Sequence, residues 1–449
     1  MNIVCVYIRA DKGVLTTETL PLGIAYISSS LVHAGYNTEM LFINARTDIY
    51  KILTAVSSFV LPVPQALFAI SVMGENEFSF VKKITSAIKK LFPNAQIIAG
   101  GTHVQYMPEI FTVENLNIDA LCVGEGETVI KKYVSMLHSG NFEKTDNLWL
   151  KQTDGSWLKC ARSVFEGNID ALPFPDRTVF KNITVTDTSV VMFSRGCPNN
   201  CIFCLNTVFK KNSQGAYVRH RKTENIIAEI KYIQKNYPQT KRIVLNDDTV
   251  LNIAELCEVL KGYNDSVPEK IRFTLRLNFL PKLLDENIIN CLKAANVDWV
   301  QVGFESGCPE LRKRLNRPYY TNEQILEFTR GLQKNGIKVE LYAMYCHPFE
   351  TAKTYARTIK WLKEIKADIL RYRRMIPFKG TELACYIEKN GIKKLSLIDR
   401  LRLRTTLFRV YISYKPFLES LLLLPLATEE DWFGLKTLCV KLYTKVASK

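Results

Sequence analysis

No window of this 449-residue chain reaches the roughly twenty consecutive apolar residues that a membrane span needs. The nearest run, PFLESLLLLPLA at 416–427, is interrupted by Glu419 and Pro425. It suits core packing, with contact to a membrane surface or a lipid as the second reading because Lys and Arg lie nearby. The chain also lacks any block of five or more consecutive like charges, although its net charge is +16. A basic solvated exterior follows, rather than a nucleic-acid partner. RNA-binding signatures and zinc-finger spacing are absent. The amino terminus, MNIVCVYIRADKG, opens on a strand-like run and has no signal-peptide layout. A cytoplasmic, reducing location is expected, and with it no disulfides.

What the chain does have is twelve cysteines. Cys5, Cys122, Cys257, Cys291 and Cys439 sit in apolar runs and read as small buried hydrophobes. Cys197, Cys201 and Cys204 instead crowd into SRGCPNNCIFC, 194–204. A structural zinc site wants four ligands, and no fourth Cys or His lies close in sequence. A disulfide would leave one thiol over. Three thiolates from one loop suit three irons of a cubane [4Fe-4S] cluster, with the fourth iron left open for chemistry. Gly196, Pro198 and the asparagines let the loop wrap round such a cluster, and its backbone N–H groups can tune it.

Strand and helix patterns alternate along most of the chain, which predicts an α/β fold with parallel sheets. Residues 1–145 carry five apolar strand runs, from NIVCVYI to DALCV, in keeping with a flavodoxin-like (Rossmann-like) domain. Two glycine turns follow strands there, GGTH at 100–103 and GEGE at 124–127, where ligands of such sheets bind. Residues 146–186 read as a linker containing ALPFPDR. Residues 187–390 carry six strands with helices between them, a partial (β/α)6 barrel whose carboxyl-end face holds the chemistry. Asn252 is expected to cap the helix 252–262 and Gly262 to stop it, and Thr321 with Gln324 to form a capping box on a later helix. Residues 391–449 read as a small helical region, with eleven Lys or Arg against five acids.

The cysteine loop, its place after the first strand of six and its aromatic Phe203 resemble the radical S-adenosylmethionine (SAM) superfamily. The resemblance implies that the open iron takes SAM, that one electron cleaves it to a 5′-deoxyadenosyl radical, and that an external donor of flavodoxin or ferredoxin type supplies the electron. LNDDTV at 245–250 resembles the family's second-strand turn, VGFESGCPELRKRLNR at 302–317 its fifth-strand segment, and KGTEL at 379–383 also recurs. Phe203, Asp247, Asp248, Arg276, Glu305 and Ser306 are thereby implied as SAM contacts. An ordinary ion pair is the alternative reading of Arg276 and Glu305. Where relatives carry GLPGET, expected after the sixth strand, this chain has CHPFET at 346–351. A bulkier barrel mouth is expected, with His347 more a wall residue than a proton donor.

The first segment resembles the cobalamin-binding domain that precedes the barrel in one subgroup of that superfamily. Gly100, Gly101, Gly124, Glu125 and Gly126 are the implied cobalamin contacts. The cobalt-ligating motif DxHxxG is absent, as His33 and His103 stand in other contexts. The leading expectation is a cobalamin-dependent C-methyltransferase acting on a small molecule. A cobalamin-independent radical SAM enzyme catalysing rearrangement, dehydration or cyclisation is the alternative, and a non-catalytic iron–sulfur sensor the third. Transfer-RNA methylthiolation fits less well, because Cys5 and Cys122 are too far apart to hold a second cluster.

Overall fold

The computed structural model describes residues 1–391 except 12–14, 45–46, 61–64, 114–115, 163–164, 181–182, 213 and 251–252. The helical region expected at the carboxy end lies outside the described residues from 392 onward, as do its leucine run and the expected cap Asn252.

Five parallel strands open the chain: β1 Asn2–Arg9, β2 Thr38–Asn44, β3 Ala66–Ser71, β4 Gln96–Gly100 and β5 Ala120–Cys122. Their order, β2-β1-β3-β4-β5, is the flavodoxin-like one. Alternate residues of β1 explain why helices cover both faces: Val4, Val6 and Ile8 enter one core, Ile3 and Cys5 the other. The segment expected as a linker does more than tether. Its strands β6 Leu148–Lys151 and β7 Trp157–Lys159 extend the same sheet antiparallel from β5.

The second sheet begins with β8 Thr188–Val191, followed by a two-residue ribbon, β9 Ser194–Arg195 with β10 Arg219–His220. It continues with β11 Arg242–Val250, β12 Arg272–Leu277, β13 Val297–Glu305, β14 Lys338–Tyr345 and β15 Ile369–Arg374. The order β8-β11-β12-β13-β14-β15 is wholly parallel and sequential, so the six strands form an open (β/α)6 barrel. Thr321 and Thr351 close capping boxes on the helices Asn322–Lys334 and Ala352–Ile365, the first as its sequence spacing predicts. The helix Ile253–Ser266 runs through Gly262 instead of stopping there. A side chain at 262 would lie 2.7 Å from Ile227 Cδ1, so this glycine serves close helix packing. Two further expectations change. Cys257 and Cys291 are joined as a disulfide, because adjacent helices bring their Cα atoms to 6.2 Å across 34 residues of chain. VGFESG ends the fourth strand of the barrel and CHPFET follows the fifth, each one strand earlier than the resemblance implies.

Consecutive residues of the segment LPFPDR grip the two domains. Asp176 accepts from Ser28 on the first α-helix, Leu22–His33, at 2.9 Å. Arg177 donates to Val190 O and to Glu229 Oε1, both at 2.7 Å. Glu229 also accepts from Arg221, and all three side chains are buried. Among the described residues no helix is long and apolar enough to cross a membrane.

Glu229→Ala would strand two buried guanidinium groups, a loss worth about 3–5 kcal/mol. Anaerobic denaturant titration should show a clearly lower unfolding midpoint for this variant, and an unchanged midpoint would refute the account of the triad.

Candidate active site

A cavity of about 970 Å³ lies between the two sheets. That is near the top of the usual range for ligand sites, roughly 300–1,000 Å³. One wall is the carboxyl end of the first sheet: Ser71, Gly100, Gly101, Gly124, Glu125 and Gly126. The other is the barrel lumen. Strand side chains alternate between faces, so Ile243, Leu275, Val300, Leu341 and Leu370 pack outward under the helices. Their neighbours Arg242, Arg276, Gln301, Glu340 and Arg371 face in. These link laterally: Arg276 Nε donates to Gln301 Oε1 at 3.4 Å, Gln301 to Glu340 at 3.1 Å, and Arg371 to Glu340. Sequence reasoning picked out only Arg276 of this ladder. The available signal was a polar residue with an apolar one on either side, as in LRL, VQV, VEL and LRY.

The cysteine loop starts at the strand ends, where Gly196 lines the cavity while Cys197, Cys201 and Cys204 do not. Gly196 opens it at φ +86°, and a Cβ there would strike the Tyr217 carbonyl, so no other residue fits. Cys197 and Cys201 are buried and Cys204 is half-buried. Burial pushes all three thiols up, Cys204 to about 11. Two donors reach the sulfurs: Asn199 Nδ2 to Cys197 at 3.6 Å and Arg317 Nη1 to Cys201 at 3.7 Å. Such bonds favour thiolate and suit sulfur that ligates metal. Among the described residues no three His, Cys, Asp or Glu side chains converge to hold one metal ion, as a mononuclear zinc site requires. Thiols that each take a different iron of a cluster need no common point.

The residues implied for SAM divide. Asp248 and Arg276 line the cavity. Asp247 points the other way, accepting from the Phe193 N–H at 2.7 Å and the Ser194 hydroxyl at 3.1 Å. Neighbours on one strand cannot both face the lumen. Burial lifts the Asp247 carboxyl to about 7. Glu305 turns left-handed at φ +60° and lies 3.6 Å from Arg317, an ion pair of the kind given as the alternative to a SAM contact, with a partner sequence reasoning did not choose. Burial raises its pKa, against the nearby Arg317 charge. Ser306 is fully buried, shares a hydrogen bond with Thr358 at 2.8 Å and accepts from the Cys308 N–H. Phe203 packs into a side cluster of Ile202, Leu311, Leu315, Met375 and Leu383, off the cavity.

The residues implied for cobalamin all line the cavity, yet several are also set by protein contacts. Gly101 has φ +97°, and a Cβ there would lie 2.8 Å from Val72 O. Gly124 backs onto Asn147 and Gly126 onto Ile27. Glu125 is bound by Arg219 at 2.8 Å and by Arg195 at 3.1 Å, neither of which sequence reasoning singled out. Burial disfavours its carboxylate, but these guanidinium groups outweigh burial and hold its pKa low. His103 is enclosed by Phe78, Tyr106 and Phe111, and among the described residues no histidine lines the cavity. His347 is buried off the cavity with its pKa pushed down to about 4, a wall residue. The bulk of CHPFET faces elsewhere too: Phe349 packs edge-on against Tyr386, so the mouth is not narrowed there as expected.

Family models match two stretches of the chain: the Radical SAM superfamily over residues 191–362 and the B12 binding domain over residues 8–134. An uncharacterized methyltransferase of Pyrococcus horikoshii is 25% identical over 398 residues, 85% of this chain and 82% of that one. The radical S-adenosylmethionine methyltransferase TsrM of Kitasatospora setae, solved with cobalamin and a [4Fe-4S] cluster, aligns with TM-score 0.67 at 16% identity, over 86% of this chain and 74% of that one. The cobalamin-dependent S-adenosylmethionine radical enzyme OxsB aligns with TM-score 0.69 at 15% identity, over 99% and 70%. At these identities the structural likeness speaks for the fold.

Two outcomes follow from the geometry. Gly196→Ala should keep the fold by circular dichroism and lose most iron and sulfide after anaerobic reconstitution, as Cys197→Ala should. Asp247 is protonated in the folded state up to about pH 7. Its contribution to stability is therefore full below the unfolded pKa of about 4 and is lost as pH rises through the folded value. Between about pH 5 and pH 8 the wild-type melting temperature should fall more than that of Asp247→Asn; parallel curves would count against this assignment.

Proposed function

We propose that this chain, which belongs to the radical SAM superfamily and carries a B12 binding domain ahead of its barrel, is a cobalamin-dependent C-methyltransferase acting on a small molecule. The observation that carries this reading is one shared cavity, because the glycine turns of one sheet and the barrel lumen beside Arg195 and Gly196, where the cysteine loop begins, open onto the same space. Cofactors held on the two walls would face one substrate between them.

Cys197, Cys201 and Cys204 would hold the cluster. Asp248 and Arg276 face the cavity with an acid and a base, suited to the polar groups of SAM. Gly100, Gly101, Gly124 and Gly126 would lie against a corrin, with no protein histidine beneath the cobalt. When bound, the cluster and SAM supply a hydrogen-abstracting radical, and cobalamin supplies a methyl carrier. Tyr7, Leu20, Ile24, Tyr26 and Ile27 form an apolar and aromatic flank that excludes water from that chemistry. Gln301, Glu340 and Arg371 offer polar anchors to a substrate in the lumen. Pro198 and Asn200 are exposed over the loop, leaving it open to an electron donor of flavodoxin or ferredoxin type in the cytoplasm.

A second reading drops cobalamin, and the packing roles of Gly101, Gly124 and Gly126 favour it, since close contacts already account for those glycines. The protein would then rearrange, dehydrate or cyclise its substrate. Anaerobically reconstituted protein decides between them. The methyltransferase should retain corrinoid by UV–visible spectroscopy, form 5′-deoxyadenosine from SAM and pass a trideuterated methyl group from labelled SAM to product. Turnover without corrinoid would select the second reading, and failure to cleave SAM would overturn both.

A further inference from the structure

A compact set of charges joins the GEGE turn of the first domain to the start of the cysteine loop. Arg195 and Arg219 are register partners in the ribbon β9–β10, so their side chains leave on the same face. Arg219 meets Glu125 as a fork, Nη1 to Oε2 and Nη2 to Oε1, both at 2.8 Å. Arg195 spans two carboxylates, reaching Glu125 at 3.1 Å and Glu127 with its other terminal nitrogen. The Tyr26 ring covers Arg195 at 5.2 Å and the Phe165 ring covers Arg219 at 4.8 Å. The four charged side chains are only 5–19% exposed. Two positive and two negative charges balance, and paired forks in a sheltered site hold geometry better than exposed pairs do.

We propose that Glu125 and Glu127 are positioning residues for the cysteine loop, acting through Arg195 and Arg219, so that the first domain sets where Cys197 stands. Arg195 is two residues before Cys197. The residue between, Gly196, is pinned against Tyr217 and transmits any shift of Arg195 to the first thiol. Midway along the loop Arg317 holds Cys201, and Asn316 donates to Asn200 O at 2.8 Å. The loop is thus held at its start by the other domain and at its middle by the barrel. The turn that supplies Glu125 also supplies Gly124 and Gly126 to the cavity wall. A ligand seated on that turn and a ligand seated under the loop therefore share one rigid connection, which couples their binding reciprocally. The inference rests on the reading that the three thiols hold a cluster.

The test compares wild type, the double variant Glu125→Gln/Glu127→Gln and Arg195→Lys, all as full chain reconstituted anaerobically. The lysine keeps the charge but loses the fork, so the fold is kept even where the double variant weakens it. Readouts are iron and sulfide per chain, the electron paramagnetic resonance spectrum of the dithionite-reduced protein with and without SAM, and kinetic constants for 5′-deoxyadenosine formation. Expected in both variants is a weakened or heterogeneous spectral response to SAM and a KM for SAM raised about tenfold or more, with kcat changed less. Folded variants that assemble no cluster would equally support the positioning role. Variants with wild-type iron, spectrum and KM would overturn it while leaving the functional reading intact. Wild type without iron and sulfide would overturn both.

Discussion

Two carboxylates on one domain meet two guanidinium groups on the other where the glycine turn approaches the cysteine loop. Asp176 and Arg177 also join the domains, but this knot is the contact that links the turn directly to the residue two before Cys197. The cavity exists because the open side of a six-stranded barrel is closed by the carboxyl edge of a second sheet. Salt bridges of this kind earn little as stability, since desolvation offsets much of their attraction. Their value here is geometric, because a fork on a carboxylate admits few orientations.

The same economy of buried charge recurs where the connecting segment crosses between domains. Asp176 and Arg177 are adjacent, yet one binds the first helix and the other the barrel. Adjacent extended residues point to opposite sides, so a dipeptide can hold two bodies at once. That alternation also builds the lumen. Each barrel strand turns alternate residues to the helical layer and to the lumen, so the lining carries Arg242, Arg276, Gln301, Glu340 and Arg371 while the sheet is still close-packed behind it.

Two of the barrel strands end in left-handed turns without glycine. Glu305 and Cys346 are non-glycine residues in the left-handed region, at the ends of neighbouring strands β13 and β14. Such conformations cost about 1–3 kcal/mol each and persist only where the surroundings hold them. Arg317 does so for Glu305, and the Glu350 carboxylate, accepting from the Cys346 N–H at 2.7 Å, does so for Cys346. Fixing these turns keeps Arg317 against Cys201.

Strand and helix periodicity, the two alternating segments, the cysteine loop and the capping box at Thr321 were all legible in the sequence. Each of these depends on residues near one another along the chain, where spacing alone carries the physics. The facing of individual residues was less legible: Asp247 and Ser306 sit in matching motifs but point into the protein, because strand parity and one left-handed turn decide direction. The partners of Arg195, Arg219, Arg317 and Cys257 could not be read at all. They lie 68 and 70, 94, 116 and 34 residues away, and only the packing of one domain against another, or of one helix on the next, brings them within reach. Long-range ion pairs leave no periodic trace in a chain, so the tertiary fold alone chose them.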